Sequence, residues 1–265
     1  MQILLQRRFS LEHQKHKFKH IKMKGLFMGL FFYLMHTTAQ FLQENFAANA
    51  PEIFPVMGFE LSRANTEALD FTKNNKALFE IDLRDTAQFN EFVFGKMIPK
   101  HKAIGAGGYF EHREVYARSE HFGGEEPRCI HLGIDIWAKA LSPLFAPLDA
   151  TIHSFNDNAG FGNYGPTLIL RHKIGVLTFY SLYGHLSLAD MQFWKKGKKF
   201  KAGEQIGTVG PFPENGDWPP HLHFQLMTDM LGWKGDFPGV CAPPQIDFYK
   251  QIVPDPKLIL CDYEA

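Results

Sequence analysis

Cysteine is scarce and excess charge is missing in this 265-residue chain, and each absence removes a class of function. Only Cys129, Cys241 and Cys261 occur, with no C-x-x-C spacing and one left over, so neither a disulfide framework nor a thiolate zinc finger fits. Buried thiols are the expected state, with a single Cys241–Cys261 bridge as the alternative in an oxidising compartment. Lysine plus arginine equals aspartate plus glutamate at 28 each, so no whole-chain field would hold nucleic acid. The apolar run Gly25–Met35 is eleven residues, short of the ~20 that span a bilayer, which excludes a stable membrane span there. There is no internal repeat, no low-complexity segment and no helical H-E-x-x-H motif. The glycine ladder Gly197, Gly203, Gly207 and Gly210 lacks the strand-to-helix order of a phosphate loop and reads as hairpin turns.

What is present favours a β-rich chain, α+β overall. Hydrophobic residues make up 45%, enough for a substantial core, and 26 phenylalanines punctuated by glycine and proline suit sheets packed through flat side chains. Residues 1–39 run from basic, through apolar, to small residues, the order of a signal peptide cleaved near Ala39. That reading slightly favours the periplasm or cell envelope; an amphipathic helix of a cytoplasmic protein is the alternative. His13, His16 and His20 in this segment read as a solvated basic face. Residues 40–120 read as an N-terminal mixed α/β extension and 121–230 as the catalytic domain. Residues 231–265, with Gly235-Asp-Phe-Pro-Gly239 and Pro243-Pro244, read as an irregular tail packed on the body. Strands are expected at 130–137, 150–155, 167–172, 177–186, 205–209 and 222–226. Two loops rich in glycine and proline, 156–166 and 211–220, would rim a groove.

The chemistry concentrates in two histidine runs about ninety residues apart, His131-Leu-Gly-Ile-Asp135 and His221-Leu-His223. Strand alternation puts His131, Gly133 and Asp135 on one face, with Leu132, Ile134 and Ile136 in a core and Gly133 leaving room for an ion. The same rule gives His221, His223 and Gln225 one face and Leu222, Phe224 and Leu226 the other. Two imidazoles and a carboxylate suit one Zn2+ ion and leave a position for water, the arrangement of a catalytic rather than a structural zinc site. Peptide hydrolysis then needs further groups to move the proton and hold the oxyanion, and with no glutamate beside the pair, histidines are the candidates. His101, His112, His121, His153 and His172 have no partner at useful spacing and read as ordinary surface or core residues. Cys129 shares the parity of His131, but two positions along a strand is about 6–7 Å, so a buried neutral thiol is expected there.

These motifs carry a resemblance. From Arg128 to Met227 the chain resembles the lysostaphin-type, or LytM-like, zinc metalloendopeptidases, which cut peptides of bacterial cell walls. The similarity lies in His-x-Gly-x-Asp at 131–135, Tyr164-Gly165 before Leu168-Ile-Leu-Arg-His172, Tyr183-Gly-His-Leu186, the glycine ladder and Pro220-His-Leu-His-Phe224. It implies a two-layer antiparallel β-sheet domain with a groove, zinc on His131, Asp135 and His223, His221 as general base, and His185 orienting water or stabilising the oxyanion. It further implies a peptide or peptidoglycan substrate, in stem peptides or cross-bridges. Gln225 stands where glutamate is frequent, and the flanks resemble a subgroup in which the domain is also fused to phosphotransferase and aminotransferase domains. Two other readings stand beside it: a non-catalytic metal-binding regulator of the same fold, and, suggested by the unusual flanks, a cytoplasmic hydrolase of a small amide-containing metabolite.

Overall fold

The structure, a computed structural model, describes residues 38–175, 177–261 and 263. The signal-peptide reading, and with it His13, His16 and His20, falls almost wholly outside the described residues, which begin at Thr38. Among the described residues no helix is long and apolar enough to cross a membrane.

Twelve strands are formed in the described residues: β1 (Thr66–Ala68), β2 (Ile104–Gly107), β3 (Ile130–His131), β4 (Ile134–Trp137), β5 (Pro143–Phe145), β6 (Ala150–Asn158), β7 (Gly165–Ile174), β8 (Leu177–Gly184), β9 (Lys199–Phe200), β10 (Gln205–Thr208), β11 (His221–Met227) and β12 (Val240–Cys241). Eight of them make one sheet in the order β1-β2-β4-β11-β8-β7-β6-β9, antiparallel throughout except for the parallel pair β1–β2. Two ribbons, β5–β10 and β3–β12, complete the set. The β-rich, mostly antiparallel class expected from the sequence is what forms.

Period-two alternation decides how the sheet is covered. In β7, Leu168 and Leu170 enter a core shared with Leu144 of β5 and Ile206 of β10, so that ribbon caps one face. Ile169, between them, points the other way into a core with Leu182, Ile130, Leu132 and Phe237, roofed by the tail helix Ile246–Ile252. Each such side chain, fully buried, contributes roughly 1.5–3 kcal/mol, so the long central strands hold both layers. The tail, expected to be irregular, carries β12 and short helices because Tyr249, Ile252 and Val253 complete this second core. Residues 38–49 are helical and lay Leu42 and Phe46, four apart on one face, into the first core, where Phe46 meets Phe179 edge-on at 5.6 Å.

One expected strand comes out differently, and the extension adds two features of its own. Residues 130–137 are two strands in two sheets, broken at Leu132 and Gly133, so Leu132 enters the second core while Ile134 and Ile136 enter the first. In the extension, Ile104–Gly107 is a buried strand of the main sheet. Its glycines are there for contact, since a Cβ on Gly105 would lie 2.5 Å from Leu69 Cδ1 and one on Gly107 2.5 Å from the Leu69 carbonyl oxygen. The extension also has an aromatic core of its own, in which Phe71, Phe89 and Tyr116 pack with Trp137 of β4 and with Trp218, so it touches the strand that carries Asp135.

Candidate metal centre

Register builds the centre. On β4 and β11, Asp135 faces His223 and Trp137 faces His221, as directly opposed cross-strand pairs. His131 arrives from the β3 ribbon, and the break at Gly133 brings it in. A Cβ on Gly133 would sit 2.8 Å from His223 Cε1 and 2.7 Å from the Phe224 carbonyl oxygen, so the room this glycine leaves is taken by the His223 imidazole and not by an ion.

The three predicted ligands converge. His131 Nε2 lies 2.9 Å from His223 Nδ1 and 3.2 Å from Asp135 Oδ1, and His223 Nδ1 lies 3.0 Å from that same oxygen. All three residues are buried. Hydrogen bonds on the far side of each ring settle what these atoms are. His131 Nδ1 donates to the Gly108 carbonyl at 3.0 Å, and His223 Nε2 donates to Gln225 Oε1 at 3.0 Å. Both facing nitrogens therefore present lone pairs to a carboxylate oxygen, three acceptors with no proton among them. Burial, helped by the Arg113 charge, holds the His131 imidazole down to about 3, so His131 takes up no second proton at neutral pH. Burial pushes the Asp135 carboxyl up, but His131 and Arg113 together outweigh it and hold the group well below the usual carboxylate range. A tetrahedral ion with ligands at ~2.0–2.1 Å sets them ~3.3 Å apart, within a few tenths of the spacings seen. A divalent cation fits this donor set.

Two more histidines flank it. The His221 and His185 rings lie 4.2 Å apart, and Trp137 stacks on His221 at 4.1 Å. His221 Nδ1 donates to the Pro219 carbonyl at 2.8 Å and His185 Nδ1 to the Asn215 carbonyl at 2.8 Å. Each ring thus carries its proton on Nδ1 and turns an unprotonated Nε2 elsewhere; that of His221 is 3.8 Å from Asp135 Oδ2. Burial lowers His221 to about 4, while burial and the neighbouring His221 hold His185 well below its ordinary value. His185 takes the left-handed backbone conformation, φ 62°, immediately after β8, an uncommon geometry for a residue with a side chain.

The centre opens into a cavity of about 580 Å³. Its walls include the extension (Val115, Tyr116), the loops 156–166 (Tyr164) and 211–220 (Trp218), and the tail (Trp233, Phe237, Tyr249). Two glycines of the loops 156–166 and 211–220 are used for contact between those loops. A Cβ on Gly216 would lie 1.8 Å from the Asn163 carbonyl oxygen, and one on Gly165 2.5 Å from that of Glu214.

Of the histidines read as ordinary, His172 is buried and bonded to the Asp149 carbonyl and Ser181 Oγ, while His153 meets Ser154 Oγ, away from the centre. His121 differs, since it lines the cavity. Cys129 is half-buried and outside the ligand set, and the three cysteines are free thiols. Sequence reasoning missed Arg113, whose Nη1 donates to Asp135 Oδ2, and Glu111, which accepts from Arg113 Nε at 2.7 Å. The one local signal is the i, i+2 pairing of opposite charges in Glu111-His-Arg113; nothing local points to Asp135, 22 residues on. It also missed Tyr164, whose hydroxyl lies 3.4 Å from His223 Nε2.

Comparison with known proteins agrees with the motifs. Residues 129–234 match Peptidase family M23. No curated protein matches in sequence. Among solved structures, the chain is similar to a zinc-containing peptidase from Vibrio cholerae (23% identity, 37% of this chain and 27% of that one, TM-score 0.29). It is similar also to a putative M23 peptidase from Pseudomonas aeruginosa (20% identity, 51% and 47%, TM-score 0.33) and to the catalytic domain of lysostaphin from Staphylococcus simulans (24% identity, 45% and 80%, TM-score 0.30). The chain thus spans 27% and 47% of the first two. The segment that matches Peptidase family M23, residues 129–234, contains both histidine motifs and His185.

Proposed function

We propose that the protein is a zinc-dependent endopeptidase in which His131 Nε2, Asp135 Oδ1 and His223 Nδ1 hold one Zn2+ ion. The observation that carries this reading is the meeting of three lone-pair donors beside two further imidazoles whose Nε2 atoms are unprotonated. Bound zinc supplies a water of lowered pKa and polarises a carbonyl oxygen. The chain's own residues do the rest. His221 Nε2 accepts the proton that water gives up and returns it to the leaving amine, with its Nδ1–H fixed on the Pro219 carbonyl so that the tautomer is right for a base. His185 is held on the Asn215 carbonyl, beside His221, where it orients water or steadies the oxyanion. The aromatic walls exclude solvent from the reacting groups.

The family match over residues 129–234 supports a peptide substrate, in peptidoglycan stem peptides or cross-bridges. The order of residues 1–39 supports export to the periplasm or cell envelope. The domain limits proposed are 40–120, 121–230 and 231–265. A second reading, hydrolysis of a small amide-containing metabolite, is favoured by the cavity: about 580 Å³, walled by extension and tail, is the size of a small-ligand site.

The test is metal analysis of the purified protein together with mass spectrometry of products from three substrate sets: peptidoglycan, D-Ala-containing peptides and small amides. One zinc per chain and cleaved peptide bonds are expected. Products from small amides alone would replace the endopeptidase with the second reading, and absence of products from any set would leave a binding module. Within the first outcome, His221→Ala should lower kcat by about 10²–10⁴ while zinc content stays at one per chain.

A further inference from the structure

A buried cation beside a metal ligand calls for an explanation that stability does not provide. Arg113 is buried, as is Asp135, and Glu111 completes a row of alternating charges, Glu111–Arg113–Asp135, behind the centre. Such rows are weak sources of stability, because the cost of stripping water from the ions offsets most of the attraction, and apolar residues of the same shape often do as well. What the row does provide is orientation.

Asp135 has two oxygens with different duties. Oδ1 faces His131 and His223 at 3.2 and 3.0 Å, whereas Oδ2 accepts from Arg113 and stands 3.8 Å from His221 Nε2. The guanidinium is itself fixed: Nε on Glu111 Oε2, its backbone N–H on the Cys129 carbonyl at 2.9 Å, and its face over Phe71 at 5.2 Å. Glu111 Oε1 in turn accepts from the Phe71 N–H at 3.3 Å. The same segment reaches the first ligand too, since Gly108 supplies the carbonyl that orients His131.

Resting on the zinc reading above, we propose that Arg113, a residue of the extension outside the M23 match, is the positioning residue that commits Asp135 to the metal through Oδ1 alone. By holding Oδ2 it prevents the carboxylate from turning both oxygens to the ion, which would fill the position left for water, or from capturing His221. The peptidase centre is therefore assembled jointly by the M23 segment and by residues 108–113.

Zinc affinity by chelator competition and the visible spectrum of Co2+-substituted protein test this without any substrate. In the double variant Glu111→Gln/Arg113→Met the shapes are nearly kept, Glu111 leaves no unpaired charge, and Asp135 keeps only the ion as its counter-charge. Zinc affinity should fall about 10- to 100-fold, the usual effect of removing an outer-shell partner, and the Co2+ band intensity should change as the coordination number changes. Arg113→Lys, which keeps the charge but loses the fork, should show the same spectral change with a smaller loss of affinity. Wild-type affinity and spectrum in Arg113→Lys, or in a folded double variant, would overturn the proposal. A wild-type protein that takes up neither metal would overturn the zinc reading itself.

Discussion

Replacing His131 by alanine should leave a protein with no stoichiometric zinc and no measurable hydrolysis. His131 supplies one of only three lone pairs, and the two that remain, on Asp135 and His223, cannot enclose an ion against bulk water. Without the metal, the attacking water returns from a pKa of about 7 to 15.7, so the loss of rate exceeds about 10³-fold at neutral pH. The fold should survive. His131 lies in a two-residue strand, and the alanine removes one hydrogen bond, to the Gly108 carbonyl, together with a lone-pair conflict. Metal content, cleavage rate and thermal unfolding of His131→Ala and of His101→Ala, an exposed residue of a loop, would be compared. Full zinc occupancy and wild-type turnover in His131→Ala would end the metallopeptidase reading.

Acid should unfold the metal-free protein well above the pH at which carboxylates titrate. Burial holds His131 to about 3 and His172 and His221 to about 4, with His185 also far below the ordinary 6.5. The sign follows from the unfolded chain, which takes up protons near 6.5 while the native state does not until near 4. Stability is thus intact above about pH 7 and is lost as pH falls through 6.5. Each ring that stays neutral in the native state contributes up to about 1.4 kcal/mol per pH unit once the pH is below 6.5, so several acting together steepen the loss of stability toward pH 5. Urea unfolding of metal-free protein across this range should show midpoints collapsing toward pH 5. In His172→Asn, remote from the metal centre, the slope should drop by about one proton. A flat stability profile between pH 7 and 5 would contradict the burial of these rings as neutral species.

How much of this was legible in the sequence depended on how local its cause was. The β11 motif was fully readable because its alternation is enforced within one strand: Leu222, Phe224 and Leu226 are all in the first core, which leaves His221 and His223 no other face. The pairing of His131 with Asp135 was readable as a motif but not as geometry. Strand parity accounts for both facing the centre only if 130–137 is continuous, and it is not. The chain breaks where the His223 ring, 90 residues further on, occupies the space a side chain at 133 would need. Arg113 was invisible for the same reason, since its partner is chosen by the packing of β2 on β4 and by no spacing along the chain. Histidine at 185 carried only the motif as a sign of its role; its left-handed backbone and its bond to Asn215 depend on the fold of a distant loop.

The break between β3 and β4 has a consequence for the molecule as a whole. His131 rides on a ribbon whose other strand comes from the tail, whereas Asp135 and His223 ride on the main sheet. An ion seated among them would be a rivet through two plates, and the energy of its binding would be shared with the clamping of the tail onto the body. Affinity for the metal and docking of residues 240–241 would then be two faces of a single equilibrium.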